Sequence, residues 1–459
     1  MSENLLIKNG FIDFESNIIQ TDILISSGKI EKIAPNIVDI NAKIIDATDK
    51  YLLPGVIDSH VFFNDPGYTH REDFTTGSKA AIKGGVTTVV DMGSANVPYI
   101  KNIDLLNAKF DIIKNKSYCD YVLAALVTAD EVDKRQFKDI SLLMDSGACG
   151  IELYTSTTVS GIKHLDNGHL YELFNQFKNS GYIFIIHSED FFICDYNIRK
   201  FKMKNKNFPK AWSEARPEIA EEIAVSTIMR LAKEFDIRIH FNDISCEKSV
   251  KIISEAKKNN VDVTCSTALH YLEFCDEDCD RLGNLSKLIP PLRKKHNNIF
   301  LWQSIVKGDI DIVSSSHNPF EYRTEKQFEG SNIWNIYAGT PELEHTLLYL
   351  FSEGFLKHRI SLNNLNRVLS ENPAKRFGIS PKKGLLRKGS DADIIILNPK
   401  KKHVVEKSKL TSKAGFSIFE GMTFNCAIEN TILNGKIVYD INKGILGEIS
   451  GNYIKRQYI

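Results

Sequence analysis

The chain has 459 residues, 42% hydrophobic and 25% charged, with 58 Lys plus Arg balanced by 58 Asp plus Glu. That length allows a large domain and a smaller one, and the composition is that of an ordinary globular protein. A formal charge of zero supplies no field that would draw nucleic acid or an anionic membrane, so a small, locally recognised ligand is the expected partner.

The first residues, Met1 to Gly10, lack the basic start and apolar core of a signal peptide. No apolar stretch approaches the roughly 18 residues of a membrane span, so a cytoplasmic protein is expected. Between residues 4 and 50 lie short β-type runs, Leu5-Leu6-Ile7-Lys8, Asp22-Ile23-Leu24-Ile25 and Lys43-Ile44-Ile45-Asp46, punctuated by Asn9-Gly10 and Ser27-Gly28 turn signals. Similar runs return near the other end: Ala392 to Leu397, Thr431-Ile432-Leu433 and Lys436 to Tyr439, with Asn434-Gly435 between the last two. The two ends are therefore expected to pair into one β-sandwich.

From residue 54 onward, strand-like apolar runs alternate with helix-compatible stretches, the pattern of βα units and a parallel sheet. The strands are read at 56–62, 86–91, 121–127, 149–154, 182–187, 237–243, 261–266 and 311–316. Eight such strands without a Gly-rich phosphate turn fit a TIM barrel better than a doubly wound sheet. Asn372-Pro373-Ala374-Lys375 reads as a helix start with Asn372 as its cap, and the barrel is placed at 54–380. Residues 1–53 plus 381–459 are assigned to the composite β-sandwich, giving an α/β fold overall. The eight cysteines include one close pair, Cys275 and Cys279, but no CxxC; they are read as free thiols.

Closing such a barrel gathers the C-terminal residues of its strands around one mouth. These are His60, Asp91, Glu152, His187, Asp243, Ser266 and the pair Ser316-His317, with His270 just beyond the seventh strand. Two readings stay open. Imidazoles and carboxylates on strands one, four, five and six form an N/O ligand set for a divalent metal, or Glu152, His187 and Asp243 hydrogen-bond to one another inside the barrel.

The runs Pro54-Gly55-Val56-Ile57-Asp58-Ser59-His60, Asp65-Pro66-Gly67, Gly84 to Met92, Gly147 to Glu152, Ile186-His187-Ser188-Glu189-Asp190, His270-Tyr271-Leu272, Pro290-Pro291-Leu292-Arg293 and His317-Asn318-Pro319 occur in this order. Glu371 to Lys375 and Gly389 to Asp393 follow them. Together these runs, which span nearly the whole chain, resemble the cyclic amidohydrolases: dihydroorotases, allantoinases and hydantoinases. The resemblance implies a barrel with a composite β-sandwich and a two-metal centre that hydrolyses a ring amide. In the family that centre uses a His-x-His pair, a carbamylated lysine, two further histidines and a last-strand aspartate.

Here the pattern departs. His60 and His187 fall on family ligand positions, but Phe62 replaces the second histidine of the pair. Glu152 stands for the lysine, Asp243 for the strand-six histidine and Ser316 for the aspartate. At most one divalent metal, zinc or manganese, is expected, held by His60, Glu152, His187 and Asp243, and a two-metal centre is not. Asp243, His317 and Ser316 are the candidate catalytic residues. Asn64, His270 and Ile289 are the candidate substrate contacts, and Asn64 and Ile289, which replace polar groups of dihydroorotases, make dihydroorotate a poor candidate. The expected activity is hydrolysis of a ring amide C–N bond in a small cyclic amide or ureide, by a homo-oligomer that binds neither nucleic acid nor membrane. The alternative is a catalytically inactive scaffold or regulatory partner.

Overall fold

The computed structural model describes residues 4–157 and 162–456. The chain adopts the α/β class read from its sequence, a TIM barrel with a composite β-sandwich domain. The barrel strands are β1 (Val56–Val61), β2 (Val86–Asp91), β3 (Asp120–Leu123, continued by Ala125–Leu126), β4 (Ile151–Tyr154), β5 (Ile183–His187), β6 (Arg238–Phe241), β7 (Val263–Ala268) and β8 (Ile312–Ser314). Neighbours pair in parallel along two runs, β1 to β3 and β3 to β8. The ring closes where the Phe62 N–H donates to the His317 carbonyl at 2.9 Å and the His317 N–H donates to the His60 carbonyl at 3.1 Å.

Both faces of these strands are covered, which is why they read as nearly unbroken Val/Ile/Leu runs and why β1, β2, β4 and β5 are buried at every position. The first barrel helix, α1 (Phe74–Lys83), starts at Asp73, whose carboxylate accepts from the Thr76 N–H in a capping box. It stops at Gly84, and Gly85 follows at φ +78°, a conformation glycine adopts freely.

Among the described residues, the two end segments meet in one sheet of nine strands. Its middle is the segment Ile394–Asn398, which pairs antiparallel with Tyr51–Pro54 on one side and with Ala427–Leu433 on the other. Asn372 is not the cap expected of it: it is the first residue of the helix Asn372–Arg376, and its side-chain amide donates to the Asp311 carbonyl at 2.7 Å. All eight cysteines are free and buried. Among the described residues no helix is long and apolar enough to cross a membrane.

Candidate active site

The C-terminal ends of the strands surround a cavity of about 100 Å³, small beside the roughly 300–1,000 Å³ of pockets for drug-sized ligands. His60, Asn64, Glu152, His187, Asp243, His270, Ile289 and Ser316 all line it. His317 does not. Its ring is wholly buried against Phe63 with Nε2 3.5 Å from Glu72, so the catalytic role expected of it is corrected to a structural one. Asp91 and Ser266, also expected at the mouth, support it from behind. Asp91 accepts from the Phe63 N–H and the Lys109 ammonium, while Ser266 Oγ accepts from the Asp243 N–H.

The ionisable groups fall into three separate clusters. In the first, Glu152 accepts from the Ser94 N–H at 2.8 Å, from Ser94 Oγ at 2.8 Å and from the Tyr154 hydroxyl at 2.5 Å. Burial pushes the Glu152 carboxyl up against these bonds, and it pushes the Tyr154 phenol well above its ordinary range. In the second, His187 Nε2 lies 3.0 Å from Glu189 Oε2, and Glu189 is gripped by Arg216. In the third, Asp243 Oδ2 accepts from Ser316 Oγ at 2.7 Å and lies 3.1 Å from His60 Nδ1. Burial alone would raise the Asp243 carboxyl, but His60 and the Ser316 hydrogen bond hold it at about 2. Burial opposes charging of His60, and Asp243 outweighs it, so the imidazole is a stronger base than a free one.

These pairings decide whether the residues could hold a divalent ion. A ligand set needs lone pairs left free and converging on one point. Glu152 instead accepts three hydrogens, His187 Nε2 is turned onto Glu189, and one oxygen of Asp243 accepts from Ser316, while Asp243 Oδ1 and His60 Nδ1 have no hydrogen-bond partner among the described residues. Among the described residues, no group of three or more His, Cys, Asp or Glu is placed to hold an ion. The single-metal site expected of His60, Glu152, His187 and Asp243 is therefore not assembled, and these residues do not fit the family's metal centre. Phe62 lines the cavity where the second histidine of the pair would stand, its ring centroid 5.2 Å from that of His60.

Several lining groups have no protein partner. Both ring nitrogens of His270, Asn242 Oδ1 and Asp243 Oδ1 are buried and unbonded among the described residues, and burial holds His270 down to about 4, in its neutral form. Such atoms are costly unless a ligand or water meets them. Asn64 is partly committed, its amide donating to the Phe62 carbonyl at 3.2 Å, and Ile289 packs with an apolar cluster around Trp212 and Ile333.

The rim was missed by sequence reasoning. Arg71 lies 4.1 Å from the Tyr68 ring centroid, 4.7 Å from that of Phe320 and 4.8 Å from that of Tyr337, with Nε donating to Glu325 at 2.8 Å. Lys326 Nζ donates to the carbonyls of Tyr337 and Gly339 and Lys287 Nζ to that of Ile336, pinning the strap that forms one wall. No periodicity marks these residues in advance. Tyr154 was legible in principle, because residues two apart on a strand share a face.

Known proteins resemble this chain over its whole length. The model of the amidohydrolase family matches residues 51–160 and 342–438. An allantoinase from Bacillus licheniformis is 30% identical over 463 aligned positions, covering 99% of this chain and all of the relative. An allantoinase from Salmonella choleraesuis is 28% identical, covering 99% of both. Among solved structures, an L-hydantoinase (dihydropyrimidinase) from Arthrobacter aurescens superposes with a TM-score of 0.94 at 28% identity, covering 99% of this chain and 100% of the other. A dihydropyrimidinase from Brevibacillus agri superposes with a TM-score of 0.89 at 27% identity, covering 99% and 98%.

Proposed function

This chain belongs to the amidohydrolase family, and on that premise we propose that it hydrolyses a ring amide C–N bond in a small cyclic amide or ureide bound at the barrel mouth. The observation that carries the proposal is the cavity itself. Its size suits one small ring, and its floor offers unbonded polar atoms of His270, Asn242 and Asp243 to the alternating N–H and C=O groups of such a ring. The relatives, matched end to end, are named for enzymes of this kind, and nothing in them favours the inactive scaffold.

A panel of five- and six-membered cyclic amides and ureides tests this, with ring opening followed by chromatographic separation of the ring-opened acid. Turnover of at least one ureide is expected, with dihydroorotate among the poorest because apolar Ile289 lines the cavity. No ring opening anywhere in the panel would overturn the proposal.

Association of several copies is part of the same reading. Phe192, Tyr196, Ile219 and Ile223 are exposed by 72, 60, 43 and 38% on two neighbouring helices, an apolar face of the kind that subunits cover. Sedimentation equilibrium is expected to give a mass above that of one chain, and a monomer at micromolar concentration would remove this part.

A further inference from the structure

We infer that the divalent-metal centre of the family has been exchanged in this chain for a proton-transfer site in which His60, oriented by Asp243, takes the proton from the attacking water. This inference rests on the hydrolytic reading above. It starts from the misfit between the residues and the metal. A lysine carbamate and histidines present free lone pairs to a cation, whereas here Glu152 is closed by Ser94 and Tyr154, and Asp243 is closed on one oxygen by Ser316 and His60. What remains is a carboxylate–imidazole pair. Nδ1 of His60 is buried 3.1 Å from Asp243 Oδ2, close enough for charge attraction though not aligned as a hydrogen bond, and His60 lines the cavity. That arrangement fixes the ring and makes it a general base.

The step balances without any group from outside. A water oxygen forms a bond to the ring carbonyl carbon while one of its protons passes to His60 Nε2, and the carbonyl π pair moves to its oxygen. His270, with neither ring nitrogen satisfied by the protein, carries one N–H as a neutral imidazole and is the donor at hand for that developing charge, while Asn242 Oδ1 is an acceptor suited to a ring N–H. Collapse of the intermediate breaks the C–N bond, and the proton held by His60 goes to the departing nitrogen. The products are a carboxylic acid and a free amine or urea end. Ser316 serves as a positioning residue: its hydroxyl occupies the oxygen of Asp243 that also faces His60.

The test has one arm independent of turnover. Elemental analysis of the full chain, purified without chelator and again after exposure to zinc or manganese followed by desalting, is expected to find well under one metal per chain. One or more tightly held equivalents would overturn the inference. With a ureide from the panel above, turnover is expected to survive chelator, and His60→Ala is expected to lose about 10²–10⁴-fold in kcat and to regain part of it with added imidazole. Rescue of that kind reports a missing base, which a merely structural role would not show. His60→Ala folded by its circular dichroism and as active as the parent, or a parent inactivated by chelator, would overturn the inference. If the panel yields no substrate, the hydrolytic reading and the base role fall together, and the metal content still decides whether the family's metal centre has been lost.

Discussion

Lys383→Met is expected to cost the fold about 3–5 kcal/mol, because it leaves buried carboxylates without their cation. The wholly buried ammonium of Lys383 lies 2.5 Å from Asp120, 3.0 Å from Asp391 and 2.8 Å from Asp393. Asp120 opens barrel strand β3, and the other two precede the central strand Ile394–Asn398 of the sheet. One side chain thus ties the barrel to the domain built from the chain ends. Even with the lysine present, burial and the neighbouring Asp120 push Asp393 up to about 6. Without it Asp393 would titrate still further above its unfolded value. A carboxylate raised in this way costs nothing below its unfolded pKa and progressively more as the pH rises towards its folded one. Calorimetry should therefore show a larger fall in melting temperature for Lys383→Met at pH 8 than at pH 5. An equal fall at both would mean that water reaches these carboxylates.

The second large effect is expected at Glu189, which is buried with Arg216, its two oxygens facing the guanidinium and one of them also facing His187. Burial would raise this carboxyl, but Arg216 and His187 hold it well below the ordinary carboxylate range. Its folded pKa is depressed, so its contribution to stability is complete above the unfolded value of about 4.3 and is lost as the pH falls towards the folded one. Glu189→Gln keeps the shape and removes the charge, stranding Arg216 at a cost of about 3–5 kcal/mol near neutral pH. The variant should also lose the part of the acid limb that Glu189 supplies, so its stability deficit shrinks between pH 5 and pH 2. A deficit that stays constant with pH would show that Glu189 does not titrate with folding.

The barrel was legible because its strands, covered on both faces, could only be written as apolar runs, and because its polar residues cluster at one end of each. The same rule placed His60, Glu152, His187, Asp243 and Ser316 around one cavity. It failed at His317, which lies beyond the end of β8 at Ser314, where strand alternation no longer sets the direction of a side chain. Ser316 leaves the strand at φ +50° with its hydroxyl in the cavity, and that sends the histidine behind the wall. The metal site is a different case: its expected donors line one cavity, yet among the described residues no three of them are placed to hold an ion. A list of donors says which atoms could bind an ion but not whether their lone pairs are already used. The hydrogens that use them come from Ser94, on the loop after β2, from Tyr154 on β4 and from Ser316 beyond β8, and for the two serines no repeat in the sequence points inward. The rim was illegible on the same ground: Arg71 and the strap pinned by Lys287 and Lys326 belong to loops whose conformation is set by distant carbonyls.

The two hydrogen bonds that join Phe62 and His60 to His317 link the first strand of the ring to the segment just after the last, more than 250 positions later along the chain. His60 and Ser316, which meet at one oxygen of Asp243, are therefore strangers until the final strand docks. The long-range parallel pairing that closes the ring is also what brings the two side chains to one oxygen of Asp243.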